Sequence, residues 1–401
     1  MLTYADALAR LAALTLTPAT ERLPLAEAAG RVIAEDIRLA GDQPPFDRAT
    51  MDGYALCLKP GTSAYAVKGV VYAGSAYSGT LQPGEAVRIM TGAPAPTGTT
   101  VVPHELSDRG EQIVIITDPK ARMPGRNIAW RGEDGKAGAV LVSAGTRLTP
   151  LVLSVAAMAG ATTVTVARAP RLALVTTGDE VGGSGPAGII DSNGPFLTGF
   201  AHALGLSASR AHAGDQKDML RMTLSSAMDR ADVIVTTGGV SAGDKDLIPA
   251  VAADLGFTTV FHHVAIQPGK PILIMQRGER FLVGLPGNPV SVVATTHLFL
   301  LPLLHCLLGA PAPTWLELPV TAPAINRGQR HQFLPARVTS GGIAPIAWNG
   351  SGDLIAAASG DGLIDLPVGA AYHPGHLARF LPFVGWQPGH VGQMPERQPR
   401  R

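Results

Sequence analysis

Two stretches of this chain share a pattern suited to holding an anion: Thr176-Thr177-Gly178-Asp179-Glu180 and Thr236-Thr237-Gly238-Gly239-Val240-Ser241. Each follows an apolar run that reads as a strand. Small residues at a strand's end let backbone N–H groups turn inward around a phosphate or another oxyanion. The second stretch continues as Ala242-Gly243-Asp244-Lys245-Asp246, which sets two carboxylates beside the same anion. Carboxylates next to phosphate usually mean a bridging hard cation, most often Mg²⁺ with several waters retained. A third loop, Gly284-Leu285-Pro286-Gly287-Asn288-Pro289-Val290-Ser291, joins a strand to a helix. Asn288 is expected to cap that helix with Pro289 at its first position, and a capped N-terminus is itself an anion site. A rival reading comes from Gly239-Val240-Ser241-Ala242-Gly243, which fits the nucleophile elbow of a serine hydrolase. The glycine before it and the Asp-Lys-Asp after it suit a phosphate loop better.

The elements that must position these loops lie between Arg171 and Gly309. Apolar strands at Leu172–Thr176, Ala208–His212, Val233–Thr237, Pro271–Met275 and Phe281–Gly284 alternate with helical segments at Pro195–Leu204, Gln216–Asp229 and Leu247–Leu255. Phe196, Leu197, Phe200, Ala201 and Leu204 share one helical face, the stripe a helix lays on a sheet. Such alternation predicts a doubly wound, mostly parallel α/β domain over 170–311, with ligands beyond the carboxyl ends of its strands.

Elsewhere the texture differs. Residues 1–40 and 132–169 are expected to form a split helical domain. It would hold an N-terminal amphipathic helix, a second short helix ending near Arg38, and a helix over Leu151–Gly160 with Thr149 as N-cap and Pro150 first. Residues 41–131 read as an inserted β-rich domain, with strands near Tyr65–Val71, Ala86–Met90 and Gln112–Ile116. Residues 312–386 read as a C-terminal β-barrel, and 387–401 as a disordered tail. Hydrophobic residues make up 46% of the 401, charged residues 16%, and the net charge is +1. No global field therefore draws the chain to nucleic acid or an anionic membrane, so any anion site is built locally. Cys57 and Cys306 have no Cys or His at ligand spacing, which predicts two reduced, buried thiols in a cytoplasmic protein. The apolar stretch Val290–Leu308 is broken by His297, Pro302 and His305 and reads as a buried helix, not a membrane span.

Beyond these loops, an ordered set of motifs resembles a known family. Pro45-Phe46-Asp47-Arg48-Ala49-Thr50-Met51-Asp52-Gly53-Tyr54-Ala55 is followed by Val87-Arg88-Ile89-Met90-Thr91-Gly92-Ala93. Then come Gly125-Arg126-Asn127-Ile128, Arg131-Gly132-Glu133-Asp134, Asp191-Ser192-Asn193 and Pro268-Gly269-Lys270-Pro271. Together with the three loops, this set resembles the bacterial molybdopterin molybdenumtransferases, which are homologous to the E domain of gephyrin. The resemblance implies an elongated homodimer that transfers molybdate onto adenylylated molybdopterin with release of AMP. Its active site would lie between the α/β domain of one subunit and the inserted domain of the other. Catalytic positions would be Asp52, Thr91, Glu180, Asp215 and Asp246, with Asp246 and Glu180 holding Mg²⁺. Substrate would be held by Gly178, Asp179, Ser192, Asn193, Gly238, Gly239, Ser241, Gly243, Lys270, Pro286, Gly287, Asn288, Arg131, Asp134 and His263. Molybdopterin adenylyltransferase and apo-molybdoenzymes would be partners. At three positions where the family carries basic residues, this chain has Ala129, His263 and Gln267. A paralogue that binds molybdopterin with little metal insertion is the alternative those departures raise.

Overall fold

The computed structural model describes residues 1–14, 16–182, 188–240 and 247–387. Helix α1 (Tyr4–Ala12) starts at Thr3, whose side chain and that of Asp6 satisfy each other's backbone N–H groups in a capping box. Helix α2 (Pro150–Met158) starts where expected, with the Thr149 side chain accepting from the Val152 N–H. The second short helix expected to end near Arg38 is absent. Thr20–Pro24 is instead a strand paired antiparallel with Thr163–Ala167, a single 3₁₀ turn covers Leu25–Glu27, and Ile37–Arg38 pairs with Val140–Val142. A tertiary ladder has overridden a local helical pattern, because Ile33, Ile37 and Leu39 bury against Val142, Leu148 and Val166.

The expected strand–helix alternation forms the centre of the molecule. Strands β1 (Leu172–Thr177), β2 (Ala208–Ala213), β3 (Val233–Thr237), β4 (Thr258–His262), β5 (Leu273–Arg277) and β6 (Arg280–Leu285) make one sheet in the order β2-β1-β3-β6-β5-β4. The first four in that order run parallel, β5 is antiparallel to β6, and β4 is antiparallel to β5 and so runs with the first four. Helices α3 (Asn193–Ala203), α4 (Lys217–Met228) and α5 (Ile248–Asp254) cover the sheet. Leu172, Leu174, Val233, Val235, Phe281 and Val283 point into one apolar core, while Ala173, Val175, Ile234, Leu282 and Met275 point into the other. This period-two division is what a strand buried on both faces requires. The carboxyl ends of β1, β3 and β6 are neighbours, so the three glycine loops emerge side by side.

A long buried helical run continues from Pro289 to Leu307, with a π-helical turn over Thr296–Leu300. It is apolar enough by length and composition to cross a membrane, yet 78% of its apolar window is buried within the protein. A sheet of Thr100–Pro103, Gly53–Leu56, Glu85–Ile89, Ala64–Val71 and Ile113–Ile115 builds the inserted domain. In the C-terminal domain, Gly342–Pro345, His331–Thr339, Gly362–Leu366, Leu377–Pro382 and Leu316–Pro319 pair in sequence. A bridge between Val320 and Ile343 closes the ring, giving a barrel around Ile343, Ile364 and Phe380. Tyr4 of α1 packs against Phe299 and Phe333, with ring centroids 5.7 and 4.8 Å away, so the N-terminal helix, the central domain and the barrel share one core.

Candidate active site

The three loops are tied into one surface by hydrogen bonds. The Thr177 hydroxyl donates to the Thr237 carbonyl (2.8 Å), joining the ends of β1 and β3. The Gly238 N–H donates to the Leu285 carbonyl (3.0 Å), joining β3 to β6. Asn193, at the start of α3, donates its side-chain amide to the Gly287 carbonyl (2.9 Å). Asn193 thus braces the third loop, while Ser192 offers its carbonyl to the Phe196 N–H (3.3 Å).

The second and third loops open on a cavity of about 490 Å³, which the Thr176–Glu180 loop does not line. Gly238, Gly239, Lys270, Pro286, Gly287, Asn288 and Ser291 line it, all but Ser291 among the expected substrate contacts. Gln267 lines it as well. The remaining wall comes from the barrel domain: Arg330, Trp348, Gly350 and Ser351. Sequence reasoning missed these four, because nothing in the spacing of a β-rich segment tells which of its loops returns to a distant sheet. The Lys270 turn is held by Gly269 (φ +102°), where an added Cβ would lie 2.4 Å from Thr295 Cγ2. A backbone passing that close to the helix leaves room for glycine alone.

Asn288 stands at the N-cap position of the helix with Pro289 following, but its side chain makes no cap bond. It donates instead to the Ser351 hydroxyl (2.8 Å), and the Ser351 carbonyl accepts from the Val290 N–H (3.0 Å). The cap expected from Asn288 is therefore replaced by a strap to the barrel. The swap satisfies a helix N–H that would otherwise be an orphan.

The acidic positions gather next to this cavity's loops. Gly178 sits at φ +114°, and an added Cβ there would lie 2.5 and 2.6 Å from the two Glu180 carboxylate oxygens. Glu180 is folded back over the Thr177–Gly178 turn. Asp179 Oδ1 accepts from the Asp215 N–H (3.1 Å), so Asp179 clips the loop after β1 to the loop after β2. His263 has a left-handed backbone (φ +61°) and stacks on His262 with centroids 3.8 Å apart. Ser241, which is also the serine of the elbow motif, Gly243 and Asp246 lie outside the described residues. Among the described residues, no three His, Cys, Asp or Glu side chains gather at metal-ligand spacing. Cys57 and Cys306 are free thiols, each half-buried.

The inserted domain holds its own cluster. Asp52 Oδ1 accepts from both the Thr91 N–H and the Thr91 hydroxyl, each at 2.7 Å. These bonds, the backbone one foremost, hold the Asp52 carboxyl below the usual carboxylate range, with His104 and Arg88 adding to the effect. The pair expected together is together, but neither residue lines the 490 Å³ cavity. Arg131 and Asp134 do not line it either. The Arg131 Nε donates to Asp42 (2.9 Å), its N–H donates to Asp47 (2.8 Å), and Asp134 faces Arg48 at 3.8 Å. These contacts fasten the base of the inserted domain.

Comparison with known proteins agrees along the chain. Residues 2–160 match the MoeA N-terminal region (domain I and II), 173–306 a probable molybdopterin binding domain, and 317–383 the MoeA C-terminal region (domain IV). Molybdopterin molybdenumtransferase 2 of Mycobacterium tuberculosis is 33% identical over 369 residues, covering 86% of this chain and 90% of that one. A molybdopterin molybdenumtransferase of Synechococcus elongatus is 35% identical over 330 residues, covering 78% and 81%. A molybdopterin biosynthesis moeA protein from Pyrococcus horikoshii superimposes with a TM-score of 0.80 at 30% identity, covering 96% of this chain and all of that one. With most of both chains aligned at such identity, and all three regions matched in order, the protein belongs to the molybdopterin molybdenumtransferase family.

Proposed function

We propose that the protein inserts molybdenum into molybdopterin as a molybdopterin molybdenumtransferase of molybdenum cofactor biosynthesis. Its substrates would be adenylylated molybdopterin and molybdate, and AMP the leaving product. The observation that carries this reading is the 490 Å³ cavity, where two laced glycine loops, Lys270 and Arg330 meet. Among the described residues, neither cation has an ion-pair partner within the chain. A diphosphate needs positive groups and N–H donors, and molybdate, itself a dianion, needs the same. Acids alone would repel both.

In this reading Gly239 offers its backbone N–H to a phosphate oxygen, while Lys270 and Arg330 neutralise charge that develops as the diphosphate is cleaved. Trp348 supplies a flat apolar wall suited to a ring. Mg²⁺ fits this donor set without a protein cage. It usually keeps several waters and takes one or two carboxylates plus phosphate oxygens. Glu180 would be one such ligand and Asp246 the other. When bound, the ion would polarise the phosphate bond. Asp215 lies on the same rim through its backbone bond to Asp179.

The Asp52–Thr91 pair belongs to the reaction only if a second copy supplies it, so the reading includes a homodimer. Phe46 and Met51, which precede Asp52 in the chain, are exposed apolar side chains of the sort a partner subunit covers. A cytoplasmic setting, with an adenylyltransferase upstream and apo-molybdoenzymes downstream, completes the proposal. Ala129, His263 and Gln267 favour the second reading, a paralogue that holds molybdopterin with little turnover. The test is purified protein with adenylylated molybdopterin, Mg²⁺ and micromolar molybdate, followed for AMP release and reconstitution of an apo-molybdoenzyme. Turnover supports metal insertion; tight binding without turnover selects the paralogue.

A further inference from the structure

The inserted domain carries a cavity of its own, about 400 Å³, lined by Tyr54, Val70, Arg88, His104, Arg109 and Glu111. Among the described residues, neither the Arg88 nor the Arg109 guanidinium has a hydrogen-bond or ion-pair partner. The His104 ring stands edge-on to Tyr54 at 5.2 Å between centroids, and its Nδ1 is buried with no hydrogen-bond partner.

Arg88 and Arg109 act on the same side chain. Burial first, and then Arg88 and Arg109, push the His104 ring below its ordinary range, which places both guanidinium groups within electrostatic reach of it. Glu111 lines the cavity with them, and Asp52 and Glu105 act on His104 in the opposite sense. Among the described residues Asp108 pairs with neither guanidinium; its Oδ1 accepts from the Gly110 and Ile115 N–H groups (3.0 and 2.8 Å). That carboxylate instead shapes the turn that presents Arg109, whose backbone is left-handed at φ +58°.

We propose that this cavity binds a tetrahedral oxyanion, with Arg88 and Arg109 as its two charged contacts. Arginine forks match the oxygens of such ions. The cavity is large enough for a free dianion or for the phosphoryl end of a small organic phosphate. Asp52 feels both Arg88 and His104, so the site borders the Asp52–Thr91 pair. The free-molybdate form rests on the metal-insertion reading, whereas the oxyanion site itself does not.

The test is isothermal titration of the full-length protein with molybdate, inorganic phosphate and AMP in turn. A Lys270→Ala/Arg330→Ala variant weakens the other cavity and isolates this one. One oxyanion site is expected to remain in it, and adding Arg88→Ala/Arg109→Ala is expected to weaken that site at least tenfold. Preference for molybdate assigns a free dianion, and preference for AMP assigns an organic phosphate. Both arginines are exposed, so the substitutions leave the domain's core untouched. Crystals soaked with tungstate and then with AMP give a second measurement, with density for one of them expected between Arg88 and Arg109. Binding that ignores the two arginines, no binding in the Lys270→Ala/Arg330→Ala protein, or density for neither ligand at this place overturns the proposal. Absence of AMP release by the unsubstituted protein, with this binding intact, would sink the metal-insertion reading and leave this site standing.

Discussion

At the level of single residues, the chemistry rests on a few cations, and several of those the sequence singled out turn out to be engaged elsewhere. Arg131 is neutralised by Asp42, and Arg126 donates to the Lys120 carbonyl. Lys270 and Arg330 are the cations at the cavity. A charged hydrogen bond to phosphate contributes about 1.5–3 kcal/mol. Lys270→Ala is therefore expected to lower kcat/KM for AMP release by roughly tenfold to a hundredfold; an unchanged value would remove Lys270 from the site. Gln267 lines the same cavity, so Gln267→Lys is expected to raise kcat/KM, and steady-state assays at several molybdate concentrations would show it. Position 263 is a poorer place to restore a lysine. Its left-handed backbone is one His tolerates better than most residues. That conformation, like the reach of Arg330, is set by tertiary structure and leaves no mark in residue order.

At the scale of elements, the loops were legible because each rule is local: small residues after an apolar run, acids trailing, proline opening a helix. The missing second helix near Arg38 shows where locality fails, since a ladder to Thr163–Ala167 formed by distant chain decided the outcome. The buried run from Pro289 to Leu307 gives a prediction of its own. His297 is fully buried, its Nδ1–H donates to the Val293 carbonyl (2.8 Å), and its Nε2 accepts from the Val384 N–H (3.0 Å). Burial pulls the ring down from 6.5 to about 4, only partly relieved by the Val293 bond. As pH falls below 6.5, the unfolded chain binds this proton and the folded one does not. Stability from this residue is thus full above pH 6.5 and falls by about 3 kcal/mol by pH 4. Urea titrations across that range are expected to show the loss in the wild type and a smaller one in His297→Gln. Parallel curves for the two proteins would contradict it.

For the whole molecule, the barrel is expected to be inseparable from the central domain. Phe333, Leu363 and Leu381 share a core with Tyr4, Phe299 and the β-sheet, and Ser351 straps the helix that starts at Pro289. A chain cut after residue 311 would expose that core. It is expected to be insoluble or to melt well below the full protein in calorimetry, whereas independent, unshifted melting would show two autonomous units. Sequence alone marked the barrel's composition but not its docking, because docking depends on contacts between segments hundreds of residues apart. The same docking places Arg330 and Trp348 over the glycine loops, so the account stands on where a diphosphate settles. The most direct measurement is a crystal structure with AMP and Mg²⁺. Phosphate is predicted at Gly238–Gly239 within reach of Lys270 and Arg330, with the metal beside Glu180. Nucleotide bound elsewhere, with that cavity unfilled, would contradict it.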